Sequence, residues 1–278
     1  MTNNLIYVSA FISNVNINRK LDDYLTYGKK LINLNNPSVI FIEKHIFIEK
    51  FQEYLTDNVL LFKYDNKNYE YIIYNNIIFV FYSKSDIYLY DYYNEITNYN
   101  IITDNPNKDT IEYMFIQCHK TEWVKKAIYL YKYHFNIETL TFLKKTYEFV
   151  WIDFGIYHMI KNDIIFTNEI NNMINRTKLG KSNLNSGIRI ASCWNLNYKY
   201  NIDLYKNISW YFAGSIFGGK ADKLIEFANL MRNKCIEIIK DKKSIMWEVN
   251  VWYLIYKDNL SLFDSYICNH DVSIINKY

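Results

Sequence analysis

The chain has 278 residues, 50% apolar and 18% aromatic, with a formal net charge of +3 from 32 basic and 29 acidic side chains. That length and apolar content allow a sizeable core and exclude intrinsic disorder, while a near-neutral charge without a dense basic stripe excludes nucleic acid as the expected partner. The four cysteines (Cys118, Cys193, Cys235, Cys268) lie far apart in the sequence without a C-x-x-C pair, the N-terminus lacks a basic signal-peptide region, and the most apolar run, IIFVFY at 77–82, is too short for a bilayer; the expectation is a reduced, cytoplasmic protein with no transmembrane segment.

Crowding by Ile, Asn, Lys, Tyr and Phe points to AT-rich codon usage, which a viral origin would suit, and only two prolines argue against an all-β chain of tight turns. LIYVSAFI (5–12) reads as a buried strand. Residues 19–34 carry Leu21, Tyr24, Leu25, Leu31, Ile32 and Leu34 at helical spacing, and Asn36-Pro37 breaks that helix. SVIFIE (38–43) is a second buried strand ending on Glu43. This β-α-β opening implies a parallel pair in a nucleotide-type α/β sheet. Residues 45–56 are expected to be helical and VLLFKY (59–64) a short strand. The segment 65–100, dense in Tyr, Asn and Ile, reads as an inserted hairpin or irregular helices.

Residues 109–135 form one long amphipathic helix or two. FVWID (149–153) is a strand ending on Asp153. A polar stretch at 175–186 precedes the strand GIRIASCW (187–194). SWYFAG (209–214) is expected to be a strand, with a tight turn at SIFGG (215–219). Two helices follow, 220–240 and 244–258, and SLFDSYI (261–267) is the last strand. With no linker and no repeat, the expectation is a single α/β domain over 1–278. Its central sheet is mostly parallel and flanked by helices, with 65–100 as an insertion.

Asp153 opens the chemistry. A carboxylate at the carboxyl edge of a parallel sheet lies where α/β proteins bind ligands. It either holds Mg2+ or Mn2+ against a diphosphate or merely caps the turn before Gly155. The D-F-G at 153–155 is not a kinase loop, because no Gly-rich loop, H-R-D or A-P-E accompanies it. In WYFAGSIFGGKAD (210–222) Gly214, Gly218 and Gly219 permit close backbone approach to a ligand, or simply make a β-turn-α joint. Gly219-Lys220 is followed by Ala221, so the stretch is not a Walker loop. Glu248, in IMWEVNVWYLIY, is either solvated on a polar face with Asn250 or a carboxylate facing a cleft. His270, beside Asp271, is either a surface residue or a metal ligand. Lys120 is either a solvated helix position or a phosphate contact.

In chain order these features are a strand-first α/β start, W-I-D-x-G-I, F-A-G-x-x-F-G-G with a long helix, W-E-x-N-x-W, and a terminal N-H-D. The set resembles the HtrL/YibB-like family of glycosyltransferase-like proteins, with a GT-A fold. The IFGG stretch and the acid after it are also similar to the blood-group and α-galactosyl transferases. The resemblance covers roughly 1–56 and 109–278. It implies a hexosyltransferase that moves a sugar from a UDP-sugar to a glycan or glycoprotein acceptor, with Mn2+ or Mg2+ as cofactor; a homo-oligomer is compatible with it. Ser9, Ala10, Phe11 and Glu43 would then border the nucleotide, and Lys120 the phosphates. Asp153 matches the first acid of the D-x-D motif and His270 the late ligand of the metal. Gly214, Phe217, Gly218 and Gly219 would wall the sugar and acceptor, and Glu248 would face the acceptor or the anomeric carbon. Gly155 stands where the second acid belongs. That departure keeps a second function open, a catalytically degenerate nucleotide- or glycan-binding protein.

Overall fold

The continuous apolar runs are strands covered on both faces. In β1 (Asn4–Phe11) Ile6 and Val8 join one core while Leu5 and Tyr7 join another; in β2 (Ser38–Ile42) Val39 and Phe41 part from Ile40 and Ile42 in the same way. That period of two is the pleat itself. The structure, a computed structural model, describes residues 4–13, 20–103, 106, 108–136, 147–159, 163–178 and 187–278. The polar stretch expected at 175–186 lies outside them from residue 179 onward.

The remaining strands are β3 (Leu60–Tyr64), β4 (Lys67–Tyr74), β5 (Ile77–Phe81), β6 (Tyr147–Ile152), β7 (Ile188–Ser192), β8 (Ile216–Lys220) and β9 (Phe263–Ile267). They form one sheet in the order β3-β4-β5-β2-β1-β6-β8-β7-β9. The sheet is mixed, which corrects the expectation of a mostly parallel one. Of its eight neighbour pairs four are parallel (β1 with β2 and β6, β2 with β5, β7 with β9) and four antiparallel. The short loops at 65–66 and 75–76 make antiparallel hairpins, which the positive φ of Asp65, Asn66 and Asn75 accommodates. β5 returns to pair with β2, so 65–100 contributes to the main sheet. Two 3-10 stretches, Lys84–Asp86 and Tyr88–Glu95, follow it.

One face of the sheet carries α3 (Ile111–Cys118), α4 (Lys120–His134), α6 (Ala221–Lys242) and α7 (Glu248–Asp258). The other carries α1 (Leu21–Ile32), α2 (Lys44–Lys50), α5 (Asp163–Lys178) and α8 (Ser273–Asn276). The helix expected over 45–56 stops at Lys50, and residues 109–135, open between one helix and two, form two that meet at His119.

The glycine-rich stretch departs most from expectation. Residues 209–214 are irregular and IFGGK is the strand. The glycines serve sheet closeness rather than a turn. A Cβ on Gly218 would lie 2.2 Å from the Tyr278 hydroxyl and 2.6 Å from the Phe149 carbonyl. Among the described residues no helix is long and apolar enough to cross a membrane.

Candidate functional site

From β1 the chain moves outward to β2 and β5, then returns to lay β6 on the other side of β1. The reversal falls between β1 and β6, and such a switch point opens a crevice beyond the carboxyl ends of the strands. A cleft of about 500 Å3 lies there. Its walls include Ala10 and Phe11 at the end of β1, Asp153, Phe154 and Gly155 after β6, and Lys120 and Glu248 at the starts of α4 and α7. Trp210 and Gly214 from the irregular loop and His270 after β9 complete it. Asp153, Glu248 and His270, drawn from three distant segments, therefore border one space.

Lys120 organises the floor. Its ammonium lies 3.1 Å from Asp153 Oδ1 and 3.1 Å from Glu248 Oε1, and donates to the Gly214 carbonyl at 3.0 Å. An ammonium has three N–H bonds, so all are engaged and none remains for a phosphate. Lys120 is 3% exposed. Burial alone would lower its pKa, but Asp153 and Glu248 outweigh that and hold it above the usual lysine value. Asp153 Oδ1 also accepts from the Trp151 indole N–H at 2.8 Å, and the Asp153 backbone N–H donates to Ser215 O at 3.0 Å. Trp151 and Asp153, two apart at a strand end, point to the same side.

Glu248 is buried, and α7 begins at this residue, where free helical N–H groups favour a carboxylate. Its Oε2 has no protein hydrogen-bond partner. The floor thus holds two carboxylates against one ammonium, a net charge of −1, with one buried oxygen unsatisfied. Such an oxygen suits a ligand hydroxyl or a developing positive charge. Gly214 is required here, because a Cβ would stand 2.4 Å from Glu248 Oε1 and 3.3 Å from Lys120 Nζ. The alternative of a solvated Glu248–Asn250 face is overturned. Asn250 is fully buried; its Oδ1 accepts from the Ser209 N–H (2.8 Å) and hydroxyl (2.6 Å), and its amide donates to Leu204 O (2.8 Å) and Asn207 O (2.7 Å). Asn250 fastens the loop that carries Trp210.

Aromatic rings and rim cations complete the cleft. Phe11 packs against Phe154 at 5.3 Å and Tyr24 at 6.0 Å between ring centroids, and Trp151 stacks on Trp123 at 5.8 Å. Lys20 and Lys108 border the opening with the exposed His270, whose ring meets Trp210 edge-on at 4.5 Å. Partial burial and the Lys108 charge hold the His270 pKa below the ordinary histidine value. A resident divalent ion does not fit these side chains. Asp153 Oδ1 already answers Lys120 and Trp151, and among the described residues no group of three or more His, Cys, Asp or Glu side chains is placed to hold a metal.

Several expected residues lie elsewhere. Ser9 is buried and donates its hydroxyl to Ile152 O at 2.7 Å, tying β1 to β6 rather than meeting a base. Glu43 Oε2 accepts the Ser13 N–H at 2.6 Å and so steadies the loop after β1. Phe217, Gly218 and Gly219 belong to β8, behind the cleft, where Phe217 stacks on Trp151 at 6.3 Å. Sequence reading missed Trp151 and Trp247, yet Trp247 adjoins Glu248, and Trp151, two residues before Asp153, shares its face by strand alternation. Lys20, Lys108 and Tyr24 carry no sequence signal that separates them from the many similar residues around them, whereas Trp210 opens the flagged stretch 210–222.

No protein-family model matches this chain, and no curated protein is similar to it by sequence. The family resemblance stands on the motifs alone.

Proposed function

We propose that this cleft binds a nucleotide-sugar and that the chain is a GT-A-type glycosyltransferase, moving a hexose from a nucleotide-diphosphate donor, UDP-sugar in preference, to a glycan or protein acceptor. One observation carries the reading: Lys120 holds Asp153 and Glu248 together in the floor of an aromatic-walled cleft at the switch point of the sheet, with Glu248 Oε2 buried and without a protein partner. Carboxylates, aromatic rings and rim cations are the groups that sugar hydroxyls, sugar or base faces and a diphosphate call for.

In the transfer the bond between the anomeric carbon and the donor phosphate oxygen breaks. Positive charge grows on the carbon and negative charge on the leaving diphosphate. Glu248 faces the first, as nucleophile or ion-pair partner in a retaining enzyme or as base in an inverting one; the anomeric configuration of the product distinguishes them. Lys20, Lys108 and His270 at the mouth face the second. Asp153 orients the donor, and Lys120 keeps both acids in place. No step is routed through a metal ion.

The test is nucleotide release from UDP-sugars. Asp153→Ala and Glu248→Ala are expected to abolish it while the far-UV circular dichroism spectrum is unchanged; full turnover in both variants excludes these roles. Gly155, in place of a second acid, favours a second reading, a binder without turnover. UDP binding by calorimetry, with and without Mn2+, alongside no release by the wild type supports that one.

A further inference from the structure

The cysteines that are distant in sequence meet in space. Cys193 Sγ and Cys268 Sγ lie 3.7 Å apart. They follow β7 and β9, parallel neighbours in which Ser192 stands opposite Ile267, and the Cys268 N–H continues the ladder to Ser192 O at 2.9 Å. The two residues are the next rung. Adjacent strands run about 4.8 Å apart, within the Cα separation of about 4.4–6.8 Å that a disulfide spans.

Their environments differ in a useful way. Cys193 is half-buried, whereas Cys268 is 2% exposed. The hydrogen bond with Cys268 pulls the Cys193 pKa below the ordinary thiol value and pushes that of Cys268 up. The other two cysteines, Cys118 and Cys235, are each 1% exposed, and burial pushes the Cys118 thiol well up.

The pair sits behind a wall of the cleft. The Trp194 N–H donates to Trp210 O at 2.8 Å, and the Ala213 N–H donates to Ala191 O at 3.0 Å, so the segment containing Cys193 supports the loop of Trp210. Two residues beyond Cys268 stands His270, whose ring rests on Trp210.

We propose that Cys193 and Cys268 form a reactive dithiol, which a low-molecular-weight disulfide of the glutathione type converts to an intramolecular disulfide, shifting the Trp210–His270 wall. Cys193 loses its proton to solvent, and its thiolate attacks one sulfur of the reagent. The reagent's S–S bond breaks, and one small thiolate leaves and is protonated. Cys268 then loses its proton, and its thiolate attacks the Cys193 sulfur and expels the second small thiolate, which is also protonated. Two protein thiols are oxidised by two electrons, and one small disulfide is reduced to two thiols. Nothing in this scheme depends on the glycosyltransferase reading.

The test exposes the full chain to oxidised glutathione, quenches with an alkylating agent and maps peptides by mass. The wild type is expected to lose two thiols and yield a Cys193–Cys268 cross-linked peptide, with Cys118 and Cys235 alkylated only after denaturation and the cross-link reversed by excess thiol. Cys268→Ser is expected to retain a stable glutathione adduct on Cys193. Cys193→Ser is expected to lose the Cys268 thiol at least about tenfold more slowly. A wild type that keeps a glutathione adduct without cross-linking, or that reacts equally at all four cysteines, overturns the proposal. Tryptophan emission is expected to differ between the reduced and oxidised wild type, and an unchanged spectrum contradicts the coupling to the wall.

Discussion

Lys120→Met removes the one ammonium between two acids and retains an apolar stem of similar length. Side-chain exposure at the three positions is 4% for Lys120, 5% for Glu248 and 30% for Asp153. The Glu248 arm is therefore a buried pair, and breaking such a pair costs about 3–5 kcal/mol, because the remaining carboxylate is left uncompensated. The Asp153 arm is partly screened by water and adds little. Two like charges then face each other, so a carboxylate, Glu248 foremost, takes up a proton more readily and its folded pKa rises. A raised folded pKa means that the variant's deficit is small below the unfolded glutamate value of about 4.3 and grows as pH rises through the new folded value. In the wild type the Lys120 pKa is raised instead, so its contribution is complete below the unfolded lysine value and is lost only at strongly alkaline pH. Thermal unfolding followed by circular dichroism from about pH 5 to 9 is expected to show a Tm deficit on the order of 10 °C at about pH 8, shrinking towards pH 5. Lys120→Met combined with Glu248→Gln is expected to recover much of it. A deficit below about 2 °C at pH 8, or one that does not vary with pH, refutes the reasoning.

Gly214→Ala is expected to displace Glu248 from Lys120, cutting turnover by up to about 100-fold and lowering Tm, because the new Cβ meets the paired carboxylate oxygen at 2.4 Å; wild-type rates in a nucleotide-release assay contradict this. Asn250→Ala deletes the partner of four hydrogen bonds, two of them buried and two part-buried, and is expected to cost on the order of 3 kcal/mol in urea unfolding, whereas a loss within error shows that the loop is held by other contacts. Glu148, on β6, is 3% exposed, and burial, opposed by Lys220, raises its pKa from 4.5 to about 7. Its stability contribution is complete below about pH 4.5 and lost as pH rises through about 7, a change of up to about 3 kcal/mol. Glu148→Gln is expected to flatten that part of the pH–stability curve, and identical curves count against a perturbed Glu148.

The parts legible in the sequence are those set by local pattern. The opening β-α-β unit follows from runs that are apolar on both sides of the pleat and from the break at Asn36-Pro37. α6 follows from its long amphipathic stripe. Residues 65–100 were open between hairpin and irregular helices, and both occur; the pairing of β5 with β2 was hidden because it joins segments almost forty residues apart. Gly218 and Gly219 read as a turn because glycine signals both turns and close strand approach, and only their tertiary neighbours, Tyr278 and Phe149 at Gly218 and the Gly187 carbonyl at Gly219, decide between them. At the site, Asp153, Glu248, His270, Lys120, Gly214, Ala10 and Phe11 were flagged from the sequence and line the cleft. What could not be read was their wiring. A lysine that spends all three donors on two acids and a carbonyl looks, in sequence, like any helical lysine. The meeting of Cys193 and Cys268 depends on the register of β7 against β9, which no local pattern encodes.

The central claim is that the cleft between the ends of β1 and β6 is a nucleotide-sugar site. A crystal structure of the chain soaked with UDP tests it most directly. The account predicts the uracil ring against Phe11 and Tyr24 and the diphosphate at the mouth near Lys20, Lys108 and His270, with Glu248 Oε2 facing the space left for the sugar. UDP bound elsewhere on the molecule, or an empty cleft at saturating UDP, contradicts it.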